Sequence, residues 1–204
     1  GDFSQTVRTD GYDPNAFYWY EGFDNYDGST LPNGFSQPGM GISFTKTEIS
    51  GNPALKYVNE YIPENSGTSN FSIKGTEPLD FSKGALLLSY DVTPQSNLTW
   101  LGDGAKSNIL IPTLRIGSTE ISQLSIIEHG GIKAAYKTAP TAWGRSAYLT
   151  GWENNTLVAD TTVKFQLLLE KEGNKITATQ YINEKPVYYT LSDEAKLASV
   201  TVDI

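Results

Sequence analysis

The sequence predicts an all-β protein, with antiparallel strands packed as a β-sandwich or jelly roll. Three observations carry that prediction. Short apolar runs alternate with turn clusters along almost the whole chain, which is how strands joined by tight turns read. Apolar residues at helical spacing are nearly absent, so the crossover helices of a parallel sheet have nowhere to form. The composition, with 19 Gly, 10 Pro and 12 Tyr in 204 residues, favours turns and pleated strands.

In chain order, the polar stretch "GDFSQTVRTDGYDPN" (1–15) reads as a loose lead-in. A single domain over 16–204 follows, because no linker, composition break or internal repeat divides it. Strands are expected at 16–23, 42–49, 54–61, 70–75 and 84–93, then at 107–117, 122–129 and 133–138. Four more are expected at 161–172, 175–183, 185–192 and 198–204. The first three of these form a meander, in which Glu172-Gly173-Asn174 closes one hairpin and Asn183-Glu184 the next. One short helix, of one or two turns, is expected in "SDEAKLAS" (192–199), where Ser192 is a good N-cap and acids fill the first turn.

Composition narrows the function classes. Hydrophobic residues at 38% and charged residues at 19% describe a globular chain with ample core. A net charge of −8 supplies no basic stripe for nucleic acid or an anionic membrane surface. No apolar run reaches the roughly 18 residues that span a bilayer. With no Cys and one His, neither a disulfide scaffold nor a zinc centre is available. A cysteine-free, acidic chain rich in Tyr, Asn and Thr fits a protein exported by bacteria. The leading Gly-Asp reads as a processed end whose export signal has been removed, so an extracellular or cell-surface location is expected.

Several motifs carry a family resemblance. They are "WYEGFDNYDGSTLPNGF" (19–35), "ISGNPALKY" (49–57), the meander at 163–190 with its "QYINEKPV" hairpin, and the closing "SVTVDI". In this order they resemble the concanavalin A-like, or laminin-G-like, β-sandwich domains of secreted bacterial polysaccharide-acting proteins. Glu184 stands where those hairpins usually have Gly. The resemblance implies a sandwich fold that hosts lectins, binding modules, hydrolases and lyases alike. It also implies a structural calcium ion held by Asp24, Glu48 and Asp203, hard oxygen ligands that would clip the first and last strands together. The same residues also read without an ion: "DNYDG" (24–28) as an Asx turn, and Asp203 as an outward position of an alternating strand.

Catalytic sets are thin. The paired carboxylates of glycosidases, which on this fold resemble Glu-x-Asp-x-x-Glu, are missing. Glu170 and Glu172 share a strand face but flank Lys171 beside a turn, as a solvated edge would. His129 precedes Gly130-Gly131 and reads as a turn residue or a lone base. For a β-sandwich lyase or hydrolase, His129, Arg145 and Tyr148 are the available machinery.

The aromatic residues offer more. The flat faces of sugar rings present C–H groups to the negative face of an indole or phenol, while neighbouring polar groups bind the hydroxyls. Trp100 lies in a Gly-rich turn near Asp103, and Trp143, Tyr148 and Trp152 cluster in "TAWGRSAYLTGW" with Arg145 and Glu153. These seven residues form the expected ligand-binding set for a polysaccharide or oligosaccharide. Two competing readings stay open: one or more tryptophans cap the core, and Tyr148 turns inward between Ala147 and Leu149. Arg145 either stacks on a ring or forks onto a sugar carboxylate. The expectation is a non-catalytic carbohydrate-binding module, with an enzyme and a cell-surface adhesion or spacer domain as the rivals.

Overall fold

A computed structural model describes residues 20–39, 41–59, 73, 80–95, 108–110, 113–116, 119–123, 126–128, 131–134, 137–139, 142–143, 147–153 and 157–204. The chain divides into two compact units, Gly1–Asp80 and Phe81–Ile204. Among the described residues both are built from antiparallel strands, with no helix. The expected lead-in at 1–15 lies outside the described residues, as does most of the strand expected at 70–75.

In the first unit, β1 (Ile42–Ile49) and β2 (Asn52–Asn59) form a hairpin. Its two-residue loop, Ser50-Gly51, has φ of 51° and 80°, the pair of positive angles that a type I′ turn needs to match strand twist. Residues 20–23 are not the strand that the apolar run 16–23 predicts. The Glu21 carboxylate accepts the Phe23 N–H at 2.5 Å and Phe23 takes φ of 60°, so the chain turns where a strand would run straight. That turn buries Tyr26 and sets Phe23 edge-on to Phe35 at 6.0 Å. Phe35 follows a turn closed by its N–H to the Pro32 carbonyl, with Gly34 at φ of 91°, and forms a bridge to Ile73.

The second unit is organised by β3 (Leu86–Val92), which precedes a run of short strands. These are β4 (Asn108–Leu110), β5 (Thr113–Ile116), β6 (Thr119–Gln123), β7 (Ile126–Glu128), β8 (Gly131–Ala134), β9 (Lys137–Ala139), β10 (Ala142–Trp143) and β11 (Ala147–Tyr148). Then come β12 (Val163–Glu172), β13 (Lys175–Ile182), β14 (Lys185–Pro186), β15 (Tyr188–Leu191), β16 (Glu194–Leu197) and β17 (Ser199–Asp203). One sheet runs β3–β12–β13, with β14 and β17 both along the far side of β13. A second runs β4–β7–β8–β11, and β5–β6, β9–β10 and β15–β16 are hairpins.

The first two strands and both turns of the meander lie where the sequence places them. The third strand, expected at 185–192, is split into β14, which pairs with β13, and β15, which pairs with β16. Gly173-Asn174 and Asn183-Glu184 are the two-residue loops, and the latter takes φ of 50° and 67°. Asn183 locks its turn to β12 by exchanging bonds with Lys164: its side-chain oxygen accepts the Lys164 N–H at 3.0 Å, and its own N–H reaches the Lys164 carbonyl at 2.9 Å.

The helix expected at 192–199 is a correction. Ser192 and Asp193, at φ of 51° and 64°, are the two-residue loop of the β15–β16 hairpin, with Leu191 opposite Glu194 and Tyr188 opposite Leu197. An eight-residue helix is marginal by itself, and cross-strand pairing outweighs its local propensity. At its root the hairpin is clamped: the Gln180 N–H bonds the Ala198 carbonyl and the Ala198 N–H bonds the Val187 carbonyl, both at 2.9 Å. Replacing Ser192-Asp193 by Asn-Gly puts the two residues that best tolerate left-handed backbone at these positions and should stabilise the unit by about 1 kcal/mol. A rise of a few degrees in the melting midpoint is the expected reading.

Alternation along β12 sends Val163, Phe165, Leu167 and Leu169 to one face, where Ile182, Ala178 and Ile176 of β13 and Val200 and Val202 of β17 join them. The larger buried cluster unites side chains of both sheets: Val163, Phe165 and Ile182 from the first with Ile132 from the second, together with Leu149, which follows β11, and Tyr189 of the hairpin.

Candidate functional site

The segment 147–153 is where the sequence-predicted aromatic set meets the described structure. Ala147 packs against the core and Leu149 is fully buried within it. Strand alternation therefore turns the half-buried Tyr148, which lies between them, to the opposite face. The register sets Tyr148 opposite Lys133 on β8. After Leu149 the chain reverses in a turn closed by the Trp152 N–H to the Leu149 carbonyl at 2.9 Å, with Gly151 at φ of 83° in its third position. Trp152 is half-buried and packs against the core, as the capping reading expects, and Glu153 is exposed.

On its other side this segment joins the β15–β16 hairpin. Leu149 bridges Tyr189 antiparallel, and the Thr150 N–H donates to the Tyr188 carbonyl at 2.7 Å. Leu149 and Tyr189 are both buried, so Tyr148, Thr150, Tyr188 and Thr190 share the outward face. Sequence reasoning missed Tyr188. The signal was present, because the inward alternation of Val187, Tyr189 and Leu191 leaves Tyr188 outside. Reading 192–199 as helix removed the partner strand that makes this face a surface.

Trp143 lies on β10, with its backbone paired to Lys137 on β9. Trp100, Asp103, Arg145 and His129 lie outside the described residues. Glu170 and Glu172 are exposed at the turn end of β12, opposite Thr177 and Lys175.

The expected calcium ligands fall in both units, Asp24 and Glu48 in the first and Asp203 in the second, and all three are exposed. Among the described residues no group of three His, Cys, Asp or Glu side chains is arranged to hold a metal ion. Asp203 takes the Lys175 ammonium at 2.7 Å.

Asp24 does line an open cleft of about 830 Å³, together with Tyr20, Glu21, Asn25, Asp27 and Asn33. The Glu21 and Asp27 carboxylates are engaged in shaping the loop. Backbone N–H bonds from Thr30 at 2.7 Å and Ser29 at 2.8 Å, aided by the Ser29 hydroxyl, push the Asp27 carboxyl from 3.8 down to about 2. Because the folded value is depressed, the stability this turn contributes is present above about pH 4 and is lost as pH falls through about 2. The Ser29 and Thr30 amide shifts should titrate with a midpoint near 2; a midpoint near 4 would show that the turn does not hold the carboxylate.

Among the described residues no helix is long and apolar enough to cross a membrane. No family model, no curated protein and no solved structure matches the chain.

Proposed function

We propose that this chain is a non-catalytic carbohydrate-binding module, in which the two sheets of Phe81–Ile204 lie face to face as a β-sandwich. The observation that carries the reading is Tyr148, turned out of the core on a strand whose neighbours Ala147 and Leu149 are packed into it. A phenol held by its backbone against a rigid sheet offers a flat π-face to a pyranose at little entropic cost. Trp152 and Glu153, one turn further on, supply an indole edge and a hydrogen-bonding carboxylate at the margin. The shared core of both sheets supports the sandwich, because face-to-face packing is the usual way for two antiparallel sheets to bury one face each. The ligand is a polysaccharide or oligosaccharide, met outside the cell by a protein exported from bacteria.

Affinity electrophoresis against a polysaccharide panel tests this directly, with parallel assays for reducing ends and for unsaturated uronate product. Retardation without product is expected. Unsaturated product would replace the reading with a lyase, new reducing ends alone with a hydrolase, and inertness throughout with an adhesion or spacer domain. Tyr148→Ala should weaken retardation about tenfold, the scale of losing one stacking ring.

A further inference from the structure

We infer that Asn33 is a self-modifying site, where the chain turns its own side-chain amide into aspartate and isoaspartate, while the fold withholds the same chemistry from Asp27-Gly28 in the same cleft. The reaction is a ring closure by the main-chain nitrogen of Gly34. That nitrogen attacks Cγ of Asn33, and the new C–N bond closes a five-membered succinimide. The old Cγ–Nδ2 bond breaks, and the Gly34 proton leaves with Nδ2 as ammonia. Solvent water then opens the ring at either carbonyl, giving aspartate or its β-linked isomer. No oxidant, metal or enzyme takes part.

Local structure lets the two groups meet. Asn33-Gly34 is the one Asn-Gly pair of the sequence, and glycine brings no Cβ to stand in the path of the attack. The two residues are the central positions of the turn closed from the Phe35 N–H to the Pro32 carbonyl at 3.1 Å. That bond uses the Phe35 nitrogen and leaves the Gly34 nitrogen uncommitted to it. Asn33 is exposed, and among the described residues none holds its carboxamide. Three other described asparagines lack these conditions. Asn52 precedes Pro53, whose nitrogen carries no proton to give up. Asn183 has its side-chain oxygen held by the Lys164 N–H at 3.0 Å. Asn25 precedes the buried Tyr26, whose N–H is already given to the Phe23 carbonyl at 3.1 Å.

Asp27 lines the cleft with Asn33 and is the matched counter-case. Asp27-Gly28 can close the same ring with water as the leaving group, but only from a protonated carboxyl, because an ionised one would have to expel oxide. The Asp27 Oδ1 accepts the Thr30 N–H at 2.7 Å, the Ser29 N–H at 2.8 Å and the Ser29 hydroxyl at 3.0 Å, which hold the group ionised and in place. Gly28 is also packed on β1, since a Cβ there would meet Cβ of Lys46 at 3.6 Å. Conversion at Asn33 sets a further carboxylate among Glu21, Asp24 and Asp27. The isoaspartyl form also adds a methylene to the main chain inside the turn that seats Phe35 edge-on to Phe23.

Ageing the full chain at mildly alkaline pH, in native buffer and in urea, tests the inference. Mass spectrometry resolved to single residues follows the exchange of NH for O, and enzymatic methylation reports isoaspartate. In native buffer Asn33 should convert at least about tenfold faster than Asn25 or Asn183, the ratio that about 1.4 kcal/mol of barrier gives. Its rate should change by less than about threefold in urea, because the folded chain already leaves the site open. Isoaspartate at Asp27 should appear in urea alone. Converted wild type should elute from an anion exchanger as a more negative species. Asn33→Gln, whose longer side chain would have to close a six-membered ring, should show no conversion at position 33 and keep the wild-type melting midpoint. An Asn33 that is stable in native buffer, or that converts no faster than Asn25, overturns the inference. Isoaspartate forming at Asp27 in the folded chain as fast as at Asn33 overturns it as well.

Discussion

Phe165→Ala should lower the stability of the Phe81–Ile204 unit by about 3–5 kcal/mol, the cost of removing a fully buried ring and leaving its cavity. Phe165 is 1% exposed on β12, the strand hydrogen-bonded on both sides, with Tyr90 of β3 opposite it on one edge and Ile182 of β13 on the other. Its ring stacks on Tyr90 at 5.4 Å and 18°, so truncation removes an aromatic pair as well as transfer energy. It also belongs to the cluster that contains Ile132 of the second sheet and Leu149 just after β11, and the loss should be felt by both sheets at once. Urea melts followed separately by tryptophan fluorescence and far-ultraviolet circular dichroism should shift together. Phe165→Leu should cost less than half as much, because most of the volume stays. A loss below about 1 kcal/mol for the alanine variant would show that this ring is not central to the core.

Leu149→Ala should cost about 2–5 kcal/mol and, on the carbohydrate-binding reading proposed above, should also weaken polysaccharide binding. It is fully buried, its N–H donates to the Ile132 carbonyl at 2.8 Å, and it bridges Tyr189 on its other side. Leu149 therefore pins the strand whose outward residues are Tyr148 and Thr150 between β8 and β15. A cavity beneath it frees that strand to shift, and misplacing a stacking residue by even 1 Å weakens a preorganised surface. Val163→Ala, in the same cluster but on the first sheet, is the matched control. It should lose stability and, on the same reading, leave the polysaccharide retardation of the folded protein unchanged. Equal loss of affinity in the two variants would show that Leu149 acts through stability alone.

Much of the fold was legible because its strands declare themselves by alternation and its hairpins by turn residues. The run "TTVKFQLLLEKE" gave β12, and "EGN" and "NE" gave the two turns of the meander, since two-residue loops demand residues tolerant of positive φ. Two elements were not legible. Residues 192–199 carry the local marks of a helix start, and only the pairing of Tyr188 with Leu197 makes them a strand. Residues 20–23 look like a strand by composition, yet the Glu21 carboxylate capturing the Phe23 N–H turns the chain there.

The site divides in the same way. That Tyr148 belongs to a ring-rich, polar-flanked stretch was evident from residues 141–152, but which side of the sheet it takes depended on whether Ala147 and Leu149 meet the core. Tyr188 is forty positions away and enters the site only through the Thr150 to Tyr188 backbone bond.

By itself, then, the sequence determined the all-β class and the two turns of the meander, because period-two alternation and turn chemistry are local properties of a chain. The tertiary structure alone decided that segment 147–150, β15 and β16 lie side by side and present Tyr148, Tyr188 and Leu197 on one face. Strand neighbours are chosen by long-range hydrogen bonding and by burial of Leu149 and Tyr189 in a common core, and neither is written in any short stretch of residues.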